Sequence, residues 1–211
     1  MIDPPTGGPA ARTGRRAYLL GGLAAVVALA VGVAIGLLVP SSRPGDGSAE
    51  AGFARDMQTH HAQAVEMSMI AYRRSADPEI QTIGLDVALT QQAQIGTMRD
   101  WLDQWQLPPT GSRPAMAWMP GHTLTADGRM PGMASRQELD RLRAATGRDL
   151  DILYSQMMIR HHLGGIMMAE EVLRRSDRAE VRSVAESMKA SQQNEITAFM
   201  AVLARNGAKP S

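Results

Sequence analysis

The strongest constraint on this chain is that it aligns with itself. Shifted by 101 positions, residues 53–104 match 154–205 without a gap; self-similarity of this kind means that one structural unit occurs twice. Met57/Met158, His60/His161, His61/His162 and Met67/Met168 coincide. So do Arg73/Arg174, Arg74/Arg175, Ser75/Ser176, Glu79/Glu180, Gln91/Gln192, Gln92/Gln193, Ile95/Ile196 and Leu102/Leu203. Most other positions differ. What the copies share is mostly histidine, methionine and helix-boundary chemistry, which implies one domain built of two halves.

Each copy reads as a pair of helices. Asp77-Pro78 sets a capping acid ahead of a proline at the first helical position. Ile80, Ile83, Val87, Ile95, Met98, Leu102 and Trp105 then recur at helical spacing. The pattern predicts helices over about 49–75 and 78–105, then about 149–175 and 177–205, with Gly207 just beyond. Val181, Val184, Met188, Ile196, Phe199 and Leu203 form the stripe of the last one. Arg73-Arg74-Ser75 and Arg174-Arg175-Ser176 close the first helix of each copy, where cations suit the helix dipole and serine can cap the next helix. Ser135-Arg136-Gln137-Glu138 has capping-box spacing and predicts a short helix ending near Gly147. Residues 108–134, with Met116, Trp118, Met119, His122, Met130 and Met133, lack periodicity. They read as a long loop whose methionines are either adaptable surface or a mobile tract gathering a soft ion. Residues 49–207 are therefore expected to be all-α, two hairpins packed as a four-helix bundle about a pseudo-two-fold axis.

Ahead of the bundle, residues 1–17 are rich in Pro and Gly, carry Arg12, Arg15 and Arg16, and read as a disordered tail. Tyr18 to Val39 come next as 22 residues without a charge. As a helix they would span roughly 30 Å, enough for a bilayer core. The arginines precede this run, so the tail is expected in the cytoplasm and everything from Pro40 on outside it. The competing reading is a cleaved signal peptide. Ala49-Glu50-Ala51 resembles a cleavage site but stands far from the apolar run, and an uncleaved anchor is preferred. Residues 40–48 form the linker to the bundle.

Composition narrows the function. A net charge of +1 and 4% aromatic residues give no basis for a nucleic-acid partner. Absence of cysteine excludes disulfides, zinc fingers, iron–sulfur ligation and thiol catalysis. Any soft metal would have to be held by imidazole and thioether. The chain is rich in the latter, with fifteen methionines, all but Met1 at Met57 or beyond.

Residues three, four and seven apart share a helix face. Met57, His60, Ala64 and Met67 thus line one stripe, with His61 beside it. Met158, His161, Gly165 and Met168 repeat it, with His162 alongside. Imidazole with thioether suits Cu(I) and, by analogy, Ag(I). Met57, His60, His61, Met67, Met158, His161, His162 and Met168 are the candidate metal ligands. Ala64 and Gly165 would admit a close neighbour, and Gln91 and Gln192 are candidate partners for the second imidazole nitrogens. The plainer alternatives are satisfied core histidines and methionine as core filler. Di-iron bundles need Glu-x-x-His, but Met57, Gln58, Met158 and Ile159 stand three residues before the four histidines. His-Glu-x-x-His, Gly-x-Ser-x-Gly and phosphate-cradling loops are also missing, so no enzyme is expected.

Phe53-x-x-Asp56-Met57-x-x-His60-His61-x-Gln63-Ala64-Val65-x-Met67, Met130-Pro131-Gly132-Met133, and Met157-Met158-Ile159-Arg160-His161-His162-x-x-Gly165-x-x-Met168-Ala169 occur in that order. With this set the chain resembles the domain-of-unknown-function 305 family over about residues 50–205. The resemblance implies an exported or membrane-anchored, ferritin-like helical bundle; some members are described as copper- or silver-binding proteins linked to copper tolerance. The chain departs from the usual pattern at Leu163-Gly164-Gly165, where that family more often has a polar residue and then Gly-Ala. The expectation is a membrane-anchored, extracytoplasmic Cu(I)/Ag(I) buffer or chaperone. The alternative is a metal-free structural or interaction module. The partners to expect are a metal ion and a membrane, with a second copy of the chain or a copper-handling protein compatible.

Overall fold

The computed structural model describes residues 43–121 and 124–210, together with Val26, Leu29 and Ala30. The chain divides into residues 1–43 and 44–211. The anchor expected over 18–39 lies almost wholly outside the described residues; among those described, no helix is long and apolar enough to cross a membrane.

From residue 44 on, the described residues form five helices: α1 (Ala49–Arg74), α2 (Pro78–Gln104), α3 (Arg136–Ala144), α4 (Gly147–Arg175) and α5 (Ala179–Arg205). No strand occurs among them. The boundaries reflect local chemistry. Ser48 caps α1 by accepting from the Ala51 amide, and Asp77 caps α2 by accepting from Glu79, with Pro78 in the first turn. Ser135 and Glu138 satisfy each other's backbone amides as a capping box. α3 stops at Ala144, short of the expected Gly147. That glycine instead opens α4 in a left-handed conformation, φ +55°.

α1 packs chiefly on α2, and α4 on α5; the two hairpins meet through α1 and α4. Two apolar clusters fill the interior. One gathers the start of α1 (Phe53, Met57), the end of α2 (Met98, Trp101, Leu102), the end of α4 (Met168, Val172) and the start of α5 (Val181, Met188). The other gathers the end of α1 (Ala64, Met67, Ala71), the start of α2 (Ile80, Val87), the start of α4 (Tyr154, Met158) and the end of α5 (Phe199, Leu203). Beginnings meet ends in both, so α1 and α4 run antiparallel, as a two-fold relation between the copies requires. At Gly84 of α2 a Cβ would lie 2.9 Å from the Ser68 carbonyl of α1, so close helix contact accounts for that glycine.

Three of the loop methionines are not the adaptable surface or mobile tract that the sequence suggests. Met116, Trp118, Met119 and Met130 are buried in the first cluster. Buried Asp56 of α1 organises them: its carboxylate accepts from the Met116 amide at 2.7 Å and from Trp118 Nε1 at 2.8 Å. The first of these bonds holds Met116 at φ +65°, a conformation unfavourable for a side-chain-bearing residue. Further on, Gln63 of α1 donates to the Ala134 carbonyl and accepts from its amide, tying Met130–Ala134 across α1 and α4. His122 lies outside the described residues.

Candidate metal centre

Between the two apolar clusters lies a polar layer. α1 brings His60 and His61 to it, α4 His161 and His162, and α2 and α5 bring Gln91 and Gln192. All four imidazoles are at most 1% exposed. His60 and His161 stack across the axis between the repeats, ring centroids 3.8 Å apart and planes 35° from parallel. The two motifs therefore meet in one layer. The four candidate methionines are also buried, Met57 and Met168 in one flanking cluster, Met67 and Met158 in the other. The layer thus has thioether-bearing residues on both sides.

Hydrogen bonds fix which ring nitrogens are free. His60 Nε2 faces the Pro131 carbonyl at 3.2 Å, His61 Nε2 the Gln94 amide oxygen at 2.7 Å, and His162 Nε2 the Glu195 carboxylate at 2.5 Å. A carbonyl, an amide oxygen and a carboxylate only accept, so each Nε2 carries the proton and each Nδ1 is left with its lone pair. Those three Nδ1 atoms and His161 Nε2 are buried and have no hydrogen-bond partner, and neither has the Oε1 of Gln91 or Gln192. Asp46 Oδ1 is likewise buried without a hydrogen bond, but Arg55 pairs with it at 2.7 Å. Orphaned buried polar atoms are costly and infrequent. Six of them lie in this layer, where a polar or metallic guest would satisfy them.

Electrostatics keep these donors available. Desolvation lowers the pKa of His60 to about 4, against the opposing bond to Pro131. It lowers that of His61 to about 3, with the nearby His60 adding to the effect. His161 is pushed well below the ordinary histidine value by burial, and further by His60, His162 and His61. Neutral imidazole is the ligating form, so burial preserves the lone pairs at neutral pH. At Glu195 burial works against ionisation, but hydrogen bonds from His162 and Ser191 outweigh it and hold the carboxyl below the usual glutamate range.

This arrangement fits a soft cation better than a hard one. Among the described residues, no group of three His, Cys, Asp or Glu side chains is placed to hold an ion by itself. Donors beyond the imidazoles would come from the two glutamine oxygens or from thioether sulfur, and sulfur is the ligand of soft metals. Stacked imidazoles do not clamp an ion between their faces, because their donor atoms lie on the ring edges. An ion would bind at those edges, with the methionines flanking the layer.

The structure corrects the expected roles of Gln91 and Gln192. Both are buried in the layer, but the imidazole partners are Gln94, Glu195 and the Pro131 carbonyl. Gln94 and Glu195 occupy equivalent positions in the two copies, each 33 residues after its histidine. Attention to identical residues passes them over because they differ. The available signal was a polar residue retained at the same place on a half-buried helix face. Gly165 makes room for Gln192: a Cβ there would lie 2.5 Å from its Oε1. Gly164 meets the Pro131 carbonyl, and Gly132 packs on the backbone of Arg160 and His161. Gly164 thus lets the 130–134 strap lie directly on the histidine helix, while the departure at Gly165 leaves room for Gln192.

No curated protein matches the chain. Among solved structures, a DUF305 protein from Streptomyces coelicolor is 41% identical, with a TM-score of 0.74, over 79% of this chain and 99% of its own. A DUF305 fragment from Deinococcus radiodurans is 30% identical, with a TM-score of 0.63, over 74% and 96% respectively. CopM in its Cu(II)-bound form is 25% identical, with a TM-score of 0.57, over 73% and 94%. Residues 50–203 match the family described as Domain of unknown function (DUF305). The chain belongs to the DUF305 family.

Proposed function

We propose that this protein holds and passes on a soft metal cation, Cu(I) with Ag(I) as its chemical analogue, and does not catalyse a reaction. The observation that carries this reading is the set of buried imidazoles whose Nε2–H is taken up by protein acceptors while Nδ1 has no partner. Metal-binding histidines are prepared in this way, with the outer nitrogen fixed and the inner one free. His60, His61, His161 and His162 are the nitrogen donors in this reading, and Met57, Met67, Met158 and Met168 the thioether donors. CopM, solved with Cu(II), supports metal handling within the fold. The apolar run 18–39 would anchor the bundle to the membrane and place it outside the cytoplasm. Its role there is to buffer or chaperone copper as part of copper tolerance.

Competition between the full-length protein and a chelator for Cu(I) tests the reading. Wild type should bind at least tenfold more tightly than a variant with His60, His61, His161 and His162 replaced by leucine. Equal affinity of the two, with the variant folded, would overturn metal handling and favour the metal-free structural or interaction module.

A further inference from the structure

The two halves of the histidine layer differ in what backs the second histidine of each pair. His61 Nε2 donates to the neutral amide of Gln94, whereas its repeat-equivalent His162 donates to the carboxylate of Glu195. A second bond orients that carboxylate, from Ser191 Oγ at 2.8 Å. Glu195 also lines a solvent-open groove between α2 and α5, beside Asp86, Thr90 and Asn194. Its side chain is 17% exposed, enough contact with water to keep a charge there tolerable. The two imidazoles share burial and a free inner nitrogen, although His162 also packs edge-on to Phe199. Both are fully buried, and both have an Nδ1 without a partner.

We infer that the halves are functionally unequal: Glu195 makes His162 the stronger donor and so the first to take an ion, while His61, backed only by Gln94, is the weaker, second donor. A carboxylate accepting the outer N–H pushes electron density through the ring to the inner nitrogen, and a neutral amide does so far less. Removing or weakening such a partner changes metal affinity by roughly 10–100-fold. Glu195 is therefore a positioning residue acting through His162. The exchange of Gln for Glu between the copies converts a symmetric repeat into an ordered pair of donors. This inference rests on the proposed soft-metal function.

Ag(I), which is redox-inert, is the probe, added in sub-stoichiometric steps to the full-length protein. Side-chain 15N resonances of His61 and His162 are tracked separately, with competition against a chelator giving affinity. In wild type, His162 Nδ1 should respond before His61 Nδ1. Glu195→Gln should weaken the first binding step by about tenfold and abolish the order. Gln94→Glu should strengthen the His61 response by a similar factor. Both variants should fold, because each installs a pairing that the chain already contains in its other half; circular dichroism checks this. Ag(I) binding with simultaneous responses in wild type, or Gln94→Glu without gain, overturns the inference and leaves the metal function standing. No Ag(I) binding at all overturns both.

Discussion

The histidine layer and the apolar clusters on either side of it occupy the same interior and obey opposite rules. In the clusters, aromatic and thioether side chains interlock, with Phe53 edge-on to Trp118 and Tyr154 edge-on to Phe199. The buried hydroxyls of Ser68 and Tyr154 are bonded to each other there at 2.8 Å. In the layer, six buried polar atoms have no hydrogen-bond partner, and two imidazoles stack face against face. The clusters supply the stability that offsets the unpaired polar atoms of the layer. In the proposed reading, stability and function are divided between regions of one core rather than between core and surface.

The sharpest way to break this contrast is to hollow out a cluster. Phe53→Ala should lower unfolding free energy by about 3–5 kcal/mol, read from urea denaturation. In metal-free protein His61→Leu should cost far less, since it removes the unpaired Nδ1 together with the single bond to Gln94 and fills the space with apolar volume. If the histidine change is the more damaging, the layer is structural and the contrast fails.

Acid should act on the layer through its buried histidines. The folded-state pKa values of His60 and His61 lie below the unfolded value near 6.5, so the unfolded chain binds more protons in between. The stability they contribute is complete above about pH 6.5 and is lost as pH falls toward about 4 for His60 and about 3 for His61. At about 1.4 kcal/mol per pKa unit, His60 alone accounts for roughly 3 kcal/mol. Metal-free melts from pH 7 to 4 should show this fall, and replacing the four layer histidines with leucine should flatten it.

A smaller effect separates the strap from the bundle beneath it. Gly164→Ala drives a methyl group into the Pro131 backbone and should cost about 1–3 kcal/mol. The accompanying shift should raise proteolysis within residues 130–134 while helical circular dichroism stays unchanged. At the surface the contrast disappears: Arg143→Ala, which removes an exposed pairing with Glu66, should leave the urea midpoint unchanged.

How far sequence carries can be seen at particular residues. The five helices from residue 49 on, the caps at Asp77 and Ser135 and the burial of Met57, Met67, Met158 and Met168 are set by spacing and local propensity, because a helix face is defined by neighbours three and four residues away. The 101-residue repeat likewise determined that the His-His pairs occupy equivalent places. Local patterns cannot say which side chains meet across helices, since that depends on register between segments far apart in the chain. The His60–His161 stack, the choice of Gln94 and Glu195 over Gln91 and Gln192, and the burial of Met116, Met119 and Met130 under Asp56 were therefore decided by tertiary packing. Two copies of one hairpin were written in the sequence; docking them face to face made a shared histidine layer, and the Gln-to-Glu difference between the copies made its two sides unequal.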